Sequence, residues 1–278
     1  MGGEASIPVV SLPRSRIAII TGGNAGVGYE TGKAIRRMDA EFQAEKAKGT
    51  QNIINDDHLD VEFMQLDLGS LESVKEFTDT FIASGRKLHI LICNAGIYMP
   101  HEVTTVDNLD MTYQVNYLSQ FLMVAKFIPV MKKSGSDCRI VLVSSEAHRK
   151  AKFSHELASG KQMSEYDGFQ CFANTKLFQL MQMYSIDRVL TRSSVEICCV
   201  HPGRVKTAHK GAATAIYAAV TPDLQAVSRA YYKESRRAAK WPSNKARDKE
   251  LQEFLLKSTV DVLKDYLDQD IVNELENS

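Results

Sequence analysis

The sequence lacks the marks of several classes of protein. Its 34 basic and 34 acidic side chains give a formal net charge of zero, so neither nucleic acid nor an acidic membrane surface is expected as the main partner. No segment approaches the ~18 apolar residues of a transmembrane span, and the N-terminus has no apolar signal-peptide core. No linker rich in proline, glycine or serine and no internal repeat divides the 278 residues. These absences predict one globular, cytoplasmic domain.

Cysteine is scarce and follows no metal-binding pattern. The chain has five cysteines without a CxxC pair or a Cys/His zinc spacing: Cys93, Cys138, Cys171, Cys198 and Cys199. An odd number without a disulfide framework indicates buried thiols in a reducing compartment. No metal site is expected.

The first residues, MGGEAS, match the short pattern for N-myristoylation of Gly2, with Ser6 at the required position. A single acyl chain would give only weak, reversible membrane association. Without the acyl group, residues 1–11 are expected to be a disordered tail that precedes a domain of residues 12–278.

Four apolar runs rich in β-branched residues predict buried strands. They are RIAII (16–20), LHILICNAG (88–96), CRIVLVSS (138–145) and VEICCVHPG (195–203). Strands of this kind are buried on both faces, as in a parallel sheet. Helical patterns separate them, so the sequence predicts a single-domain α/β fold with a doubly wound, Rossmann-like parallel sheet. Ligands of such sheets bind beyond the carboxyl ends of the strands.

A glycine-rich loop follows the first predicted strand. Thr21, Gly22, Gly26 and Gly28 give the pattern T-G-x-x-x-G-x-G. Glycines allow a tight turn and a close approach of the backbone to a pyrophosphate at a helix N-terminus. The alternative is a plain strand-to-helix turn. The position between a strand and a helix favours nucleotide binding.

The stretch after this loop contains no recognisable second strand. Ile35, Met38 and Phe42 have helical spacing, and Lys48-Gly49 ends the predicted helix. Two βαβ units that share a strand would need about 55–60 residues, at ~30 or more per unit. Residues 16–67 provide fewer. We therefore predict that the second strand is absent or shortened.

Taken together, these motifs resemble the short-chain dehydrogenase/reductase superfamily. The glycine loop, CNAG (93–96), VSS (143–145), the pair of residues four apart before KLF, and HPGRVKT (201–207) follow the family order over residues 12–232. The details are similar to the branch that holds retinol dehydrogenases and WW-domain oxidoreductases. The resemblance implies an oxidoreductase that uses NADP or NAD, with NADP slightly favoured, on a small apolar alcohol or carbonyl such as a retinoid or steroid.

The resemblance also implies roles for individual residues around the cofactor. Asn94 and Gly96 would support the central sheet, and Asp67 would bond the adenine amine. Lys176 would hold the nicotinamide ribose, and Thr207 would contact the carboxamide. The full set assigned to the cofactor is Thr21, Gly22, Asn24, Gly26, Val27, Gly28, Asp67, Leu68, Asn94, Ala95, Gly96, Lys176, Pro202, Gly203, Val205 and Thr207.

The catalytic set implied by the resemblance is incomplete. Asn116 would hold the water of a proton relay and Ser145 would orient the substrate oxygen, beside Lys176. The alternative for Asn116 is a polar residue in the middle of a helix, and the alternative for Ser145 is a cap at the end of a strand. The acid–base tyrosine of the family belongs where Phe172 stands. Losing general acid–base catalysis costs on the order of 10²–10⁴ in rate. Two nearby residues, Tyr166 and Cys171, are not convincing substitutes.

The resemblance also implies a substrate cover, from which this sequence departs, and a partner surface. A segment that covers the substrate should follow Thr207, yet only Ala208, His209 and Lys210 separate it from GAATAIYAAV. The helices that contain Asn116 and Phe172 are expected, by the same resemblance, to form a dimer face. A homodimer or a heterodimer within the family is therefore expected.

Three accounts stay open at this point. The chain is an oxidoreductase with reduced or unusual chemistry, a catalytically inactive member that binds a partner, or a shortened variant whose fold is compromised. Phe172 argues against the first account. The retained Asn116, Ser145 and Lys176 argue against unconstrained change of the site's sequence.

Overall fold

One mixed sheet forms the centre of the protein. The computed structural model describes residues 16–37, 41–45, 61–191, 193–203, 207–221 and 227–277. The strands in these ranges are β1 (Ile17–Ile20), β2 (Glu41–Glu45), β3 (Val61–Met64), β4 (Ile90–Cys93), β5 (Cys138–Val143), β6 (Val195–His201), β7 (Ala230–Lys233) and β8 (Arg236–Arg237). Their order is β3-β2-β1-β4-β5-β6-β7-β8. All pairings are parallel except that of β7 with β8.

Helices cover both faces of this sheet. They are α1 (Gly26–Arg37), α2 (Leu71–Ala83), α3 (Met111–Tyr113), α4 (Ser119–Ser134), α5 (His155–Ala158), α6 (Gly168–Val189), α7 (Ala208–Val220), α8 (Asn244–Arg247), α9 (Lys249–Leu263) and α10 (Gln269–Glu276). α1 and α7 pack together on one face, and α2, α4 and α6 lie on the other. This is the predicted doubly wound α/β architecture.

The strands are apolar because each contributes to two cores. In β1, Ile17 and Ile19 join the core under α2, α4 and α6, whereas Ala18 and Ile20 join the core under α1 and α7. Successive side chains of a strand point to opposite faces, so a strand covered on both sides needs an unbroken apolar run. The four strands predicted from such runs, β1, β4, β5 and β6, are confirmed.

The prediction of a missing second strand is wrong. α1 ends at Arg37, and β2 pairs in parallel with β1 on one side and with β3 on the other. The predicted helix through Phe42 therefore does not form; its end at Lys48-Gly49 lies outside the described residues. β2 has the polar sequence EFQAE, and backbone hydrogen bonds from two neighbours outweigh its weak strand propensity. The βαβ unit of β1, α1 and β2 fits into a short stretch of sequence because α1 has only 12 residues and β2 only five.

A π-helical turn interrupts the helix after β4. Residues Gln114–Leu118 form this turn between α3 and α4, and the N–H of Ser119 bonds to the carbonyl of Gln114. Such turns shift backbone bonding by one residue and occur often at functional sites. The turn contains Asn116, which is fully buried.

The C-terminal helices cover the helices that were expected to form a dimer face. α9 and α10 pack on α6, and the hydroxyls of Tyr117 and Thr259 lie 2.8 Å apart. Lys132 at the end of α4 forms an ion pair with Glu274 of α10. A dimer that used these buried side chains would first have to displace α9. The oligomeric state stays a prediction.

Two expectations from composition concern the thiols and the membrane. All five cysteines are buried and free, and no disulfide framework forms among them. Within the described ranges, no helix combines the length and the apolar character that crossing a membrane requires. The acylation site at Gly2 and the tail of residues 1–11 lie outside the described residues.

Leu255→Ala tests the contribution of α9 to the fold. Leu255 is 1% exposed in the core beneath this helix, and such truncations cost about 2–5 kcal/mol through lost burial and the cavity they leave. We expect that decrease in the free energy of unfolding, measured by urea denaturation. Leu251→Ala is the matched control, because Leu251 is only partly buried one turn earlier. Equal losses for the two variants would contradict docking of α9 through Leu255.

Candidate functional site

A cleft of about 720 Å³ lies at the carboxyl ends of the central strands. Residues that follow β1, β4, β5 and β6 meet there because parallel strands end at the same edge of a sheet. The cleft gathers most of the residues predicted from the sequence. Those that line it are Gly22, Val27, Gly28, Asp67, Leu68, Asn94, Ala95, Gly96, Ser145, Phe172, Lys176, Pro202 and Gly203.

The glycine loop has a shape that favours glycine at Gly22 and requires it at Gly28. Gly22 has φ +64°, in the left-handed region. A Cβ added to Gly28 would lie 2.2 Å from the carbonyl oxygen of Gly22 and 2.6 Å from Nδ2 of Asn94. The start of α1 therefore comes against the β1 turn more closely than any other residue type allows. The result is an exposed backbone cradle at a helix N-terminus, which suits a phosphate.

Thr21 does not line the cleft but supports its wall through buried hydrogen bonds. Its buried Oγ1 accepts hydrogen bonds from the backbone N–H groups of Asn94 and Ala95, at 3.0 and 2.9 Å. The Asn94 side chain donates in return to the carbonyl of Thr21, at 3.0 Å. This reciprocal set ties the ends of β1 and β4 together.

Asp67 closes the cleft on the β3 side. Its Oδ1 accepts from the N–H of Gly69 at 2.8 Å, and its own N–H donates to the Ser73 hydroxyl at 3.0 Å. The carboxylate is exposed and still has acceptor capacity. It can therefore accept a hydrogen bond from a ligand amine.

Asn116 lies behind the cleft wall, in the π-helical turn. Its Oδ1 accepts from the N–H of Ile97 at 2.7 Å, and its Nδ2 donates to the carbonyl of Ile97 and to the hydroxyl of Thr175, at 2.9 and 3.2 Å. The side chain is thus used within the protein, and it fixes the loop after β4 against α6.

Ser145 and Phe172 face the cleft from β5 and α6. Ser145 begins a short 3₁₀ helix (Glu146–Lys150), and its hydroxyl accepts from the N–H of Ala147 at 3.2 Å. Ser145 is therefore a strand-end cap that also lines the cleft. The Phe172 ring packs edge-on against Tyr98, with ring centroids 5.9 Å apart. A phenyl ring at this position offers no proton to a ligand.

Lys176 is the buried charge of the site. Its Nζ donates to the carbonyl of Val143 at 3.0 Å and to Oε1 of Gln179 at 3.2 Å. It lies 5.6 Å from the centroid of the Phe172 ring. Burial lowers the pKa of Lys176 to about 8. The ammonium lines the cleft beside Gly96, where an added Cβ would stand 3.4 Å from Nζ.

Three titratable groups near the cleft are poorly suited to proton transfer near pH 7. Burial, with Lys233 nearby, lowers the pKa of His201 to about 4, so its imidazole is neutral near pH 7 and is not a proton donor there. Burial raises the pKa of Tyr166 to about 12, and its hydroxyl donates to the carbonyl of Met99. Burial likewise raises the pKa of the Cys171 thiol, which donates to Asp110.

Several predicted residues do not reach the cleft. Asn24 and Gly26 belong to the glycine turn but do not line the cleft. Thr207 caps α7, and its hydroxyl accepts from the N–H of Lys210 at 3.3 Å. Val205 lies outside the described residues. Because α7 begins at Ala208, residues 208–210 form a helical turn and not a substrate cover.

Sequence reasoning missed several residues that line the cleft. Each is a neighbour of a predicted residue in the chain or across the cleft: Ala25, Gly69, Ile97, Met111, Val115, Val143, Ser144 and His201. Val143, Ser144 and His201 carried a signal, because they belong to the VSS and HPG motifs at the ends of β5 and β6. Ile97, Met111 and Val115 give the cleft an apolar wall.

The sequence and structure match known proteins. The family model described as short chain dehydrogenase matches residues 16–217. The human polyprenol dehydrogenase is 32% identical over 260 residues, which cover 81% of this chain and 78% of that protein. The chicken WW domain-containing oxidoreductase is 30% identical over 270 residues, which cover 84% of this chain and 64% of that protein. The chain thus spans less than two thirds of the latter.

Solved structures share the fold. A protein from Mycobacterium paratuberculosis matches with a TM-score of 0.79 and 24% identity, covering 95% of this chain and 98% of that one. An NADH-dependent reductase complexed with NAD matches with a TM-score of 0.64 and 16% identity, covering 81% and 96%. A Burkholderia cenocepacia short chain dehydrogenase in complex with NADP matches with a TM-score of 0.63 and 19% identity, covering 79% and 96%.

Lys176→Met tests the burial of the ammonium. Between pH 8 and 10.5 the unfolded chain keeps a proton on Lys176 that the folded chain loses, because the folded pKa is the lower one. The free energy of unfolding then rises with pH across this window. We expect wild type to gain roughly 2–3 kcal/mol relative to Lys176→Met between these limits, measured by urea denaturation. A difference that does not change with pH would contradict a buried, titrating Lys176.

Proposed function

Because the chain belongs to the short chain dehydrogenase family, we propose that it binds a nicotinamide dinucleotide in the cleft and is an oxidoreductase of a lipid-like alcohol or carbonyl, slowed by Phe172. The observation that carries this proposal is the convergence of the glycine turn, Asp67, Ser145 and Lys176 on one cleft, with a phenyl ring among them. The second strand, which a dinucleotide fold needs beside the adenosine, is present, since β2 pairs with β1.

The residues present fit a dinucleotide. The backbone cradle at Gly22 and Gly28 would hold the pyrophosphate at the N-terminus of α1, where glycine lets the helix start close against the β1 turn. Asp67 would accept from the adenine amine, and Lys176 would donate its remaining N–H to the nicotinamide ribose. When bound, the nicotinamide supplies or accepts the hydride. We take the nucleotide to be NADP or NAD, with NADP slightly favoured.

The apolar wall of the cleft supports an apolar substrate. Ile97, Met111 and Val115 face the cleft beside Phe172, and Tyr98, packed on Phe172, is 52% exposed at its edge. Such a wall gains free energy by covering hydrocarbon. The relative whose name states a polyprenol substrate agrees with this choice of class.

Proton transfer to the substrate oxygen is slow, because the polar side chains near the cleft are in the wrong protonation state or in the wrong position to act as the acid. Ser145 can hold a substrate oxygen by a hydrogen bond, and Lys176 places a positive charge nearby. Neither can donate the proton that a phenol between Ser145 and Lys176 would donate, and His201 is neutral near pH 7. General acid–base catalysis contributes about 10²–10⁴ in rate, so turnover should fall by that factor relative to a chain with tyrosine at position 172.

A second candidate function is binding without catalysis. Phe172 preserves the ring packing against Tyr98 and the position of Lys176 while it removes the hydroxyl. This favours a member of the family that keeps the cleft for a ligand and uses the fold as a partner surface. The two functions predict the same nucleotide binding and differ in whether any hydride transfer follows.

NADPH and NADH titrations test the nucleotide site. We expect saturable quenching or enhancement of the emission of Trp241, the only tryptophan, with calorimetry as the second measurement. Gly28→Ala should abolish binding, because its Cβ would collide with the Gly22 carbonyl. Its thermal unfolding must be recorded to confirm that the variant is folded. No saturation of wild type at millimolar nucleotide would overturn the proposed function.

Phe172→Tyr tests the missing acid. We expect carbonyl reduction by NADPH to rise on the order of 10²–10⁴ over wild type, followed by nucleotide absorbance with retinoid, steroid and polyprenal substrates. The matched control is Phe169→Tyr, which adds a phenol to the same helix at a residue that is 41% exposed and does not line the cleft. If Phe172→Tyr binds nucleotide but stays as slow as Phe169→Tyr, the second candidate function is favoured.

A further inference from the structure

A second cavity, of about 420 Å³, adjoins the cleft. The turn at the end of β6, residues 201–203, lines both spaces. Ser145 lines the cleft, and the next residue in the chain, Glu146, lines the second cavity. Because consecutive Cα atoms lie about 3.8 Å apart, a ligand that reaches both side chains needs two polar groups that are close together.

The second cavity is lined by charged side chains whose charges cancel. Lys210 and Lys233 supply ammonium groups, and Glu146 and Glu234 supply carboxylates. His201 adds no charge near pH 7, because burial, with Lys233 nearby, lowers its pKa to about 4. A wall without net charge favours neither an anion nor a cation. It suits a neutral group that both donates and accepts hydrogen bonds.

Three of these groups lie near one another at distances too long for direct hydrogen bonds. Oε2 of Glu146 is 3.8 Å from Nε2 of His201 and 3.9 Å from Nζ of Lys233. Hydrogen bonds between charged groups are normally about 2.7–2.9 Å long. Separations of this size leave room for a bridging oxygen. A hydroxyl fits this place, because one oxygen accepts from the ammonium and donates to the carboxylate.

Packing and backbone geometry hold the β7 side of the second cavity in place. Nζ of Lys233 lies 3.8 Å from the centroid of the Trp241 ring. Glu234 and Ser235 both have positive φ, at +52° and +55°, and the N–H of Ser235 donates to Oγ1 of Thr214 in α7 at 3.2 Å. Backbone of this kind persists where its surroundings fix it, and it is frequent at ligand sites. The polar groups of the wall are thus positioned before a ligand binds.

We propose that the second cavity binds a hydroxyl group of the substrate, which makes the substrate a lipid-like hydroxy ketone, or the corresponding diol, with its two oxygens close together. The inference rests on the proposed function. Ser145 would bind the reacting oxygen. Lys233 would donate a hydrogen bond to the second oxygen, and Glu146 would accept one from it. The hydrocarbon part would remain in the cleft.

Matched steroid ketones test this assignment, because the rigid rings keep their oxygens at fixed distances. All probes have the ketone on ring D. One has a hydroxyl on the adjacent ring C, one has it on the distant ring A, and one lacks it. We expect the ring C compound to bind about tenfold more tightly than the other two, measured by equilibrium dialysis, since hydrogen bonds to charged groups contribute at least that factor.

The same dialysis measurement decides whether a hydroxyl is the correct ligand chemistry. Equal dissociation constants for the three steroids, or no binding of any of them, would overturn the proposal. The sulfate ester of the ring C hydroxyl gives the matched anion. Tighter binding of this ester than of the free hydroxyl would also overturn the proposal, because the cavity would then select a negative charge.

Two variants assign the preference to the second cavity. Lys233→Met and Glu146→Met each remove one polar partner and keep a side chain of similar length. We expect both to bind the three steroids equally. The matched controls are Lys240→Met and Glu250→Met, which alter exposed residues outside the cavity and should keep the preference. Thermal unfolding of each variant is recorded first. A preference that survives in both cavity variants would overturn the proposal.

NADPH titration separates this inference from the proposed function. The steroid measurements need neither nucleotide nor turnover. If the ring C hydroxyl is preferred but NADPH does not bind, the hydroxyl site stands and the proposed function fails. If NADPH binds and the hydroxyl has no effect, the hydroxyl site fails and the proposed function stands.

Discussion

Parallel strands need a crossover before the next strand can pair, and this requirement organises the whole chain. Each crossover returns the chain to the same edge of the sheet, so the turns after β1, β4, β5 and β6 collect at one place. The cleft is a direct result. Residues as distant in sequence as Gly22 and Gly203 line it together without any local signal that they should meet.

The sequence predicted what depends on local pattern and missed what depends on distant partners. The apolar strands and the glycine turn follow from burial on two faces and from steric limits at Gly28. β2 could not be predicted, because its polar residues become a strand only between β1 and β3. The contact of Gln179 with the Asn116 carbonyl joins residues 63 apart. No periodicity encodes that contact or the π-helical turn behind it.

The ammonium of Lys176 links the fold to the chemistry. The carbonyl of Val143 at the end of β5 and the amide of Gln179 hold it, and the ring of Phe172 lies against it. These contacts stabilise a positive charge whose pKa is lowered to about 8 by burial. Its neighbours are a ring without a hydroxyl and an amide that accepts its hydrogen bond. The site therefore combines a buried positive charge with neighbours that do not exchange a proton with it.

The cover formed by α9 over α6 has a consequence for the order of events during synthesis. The bond between Tyr117 and Thr259 spans 142 residues, and the helices it closes are complete long before α9 leaves the ribosome. Until then, the apolar face that α9 covers in the folded protein is exposed in the nascent domain. Long-range closure of this kind is slow and exposes the intermediate to aggregation. The appearance of α9 (Lys249–Leu263) thus determines when this apolar face is buried.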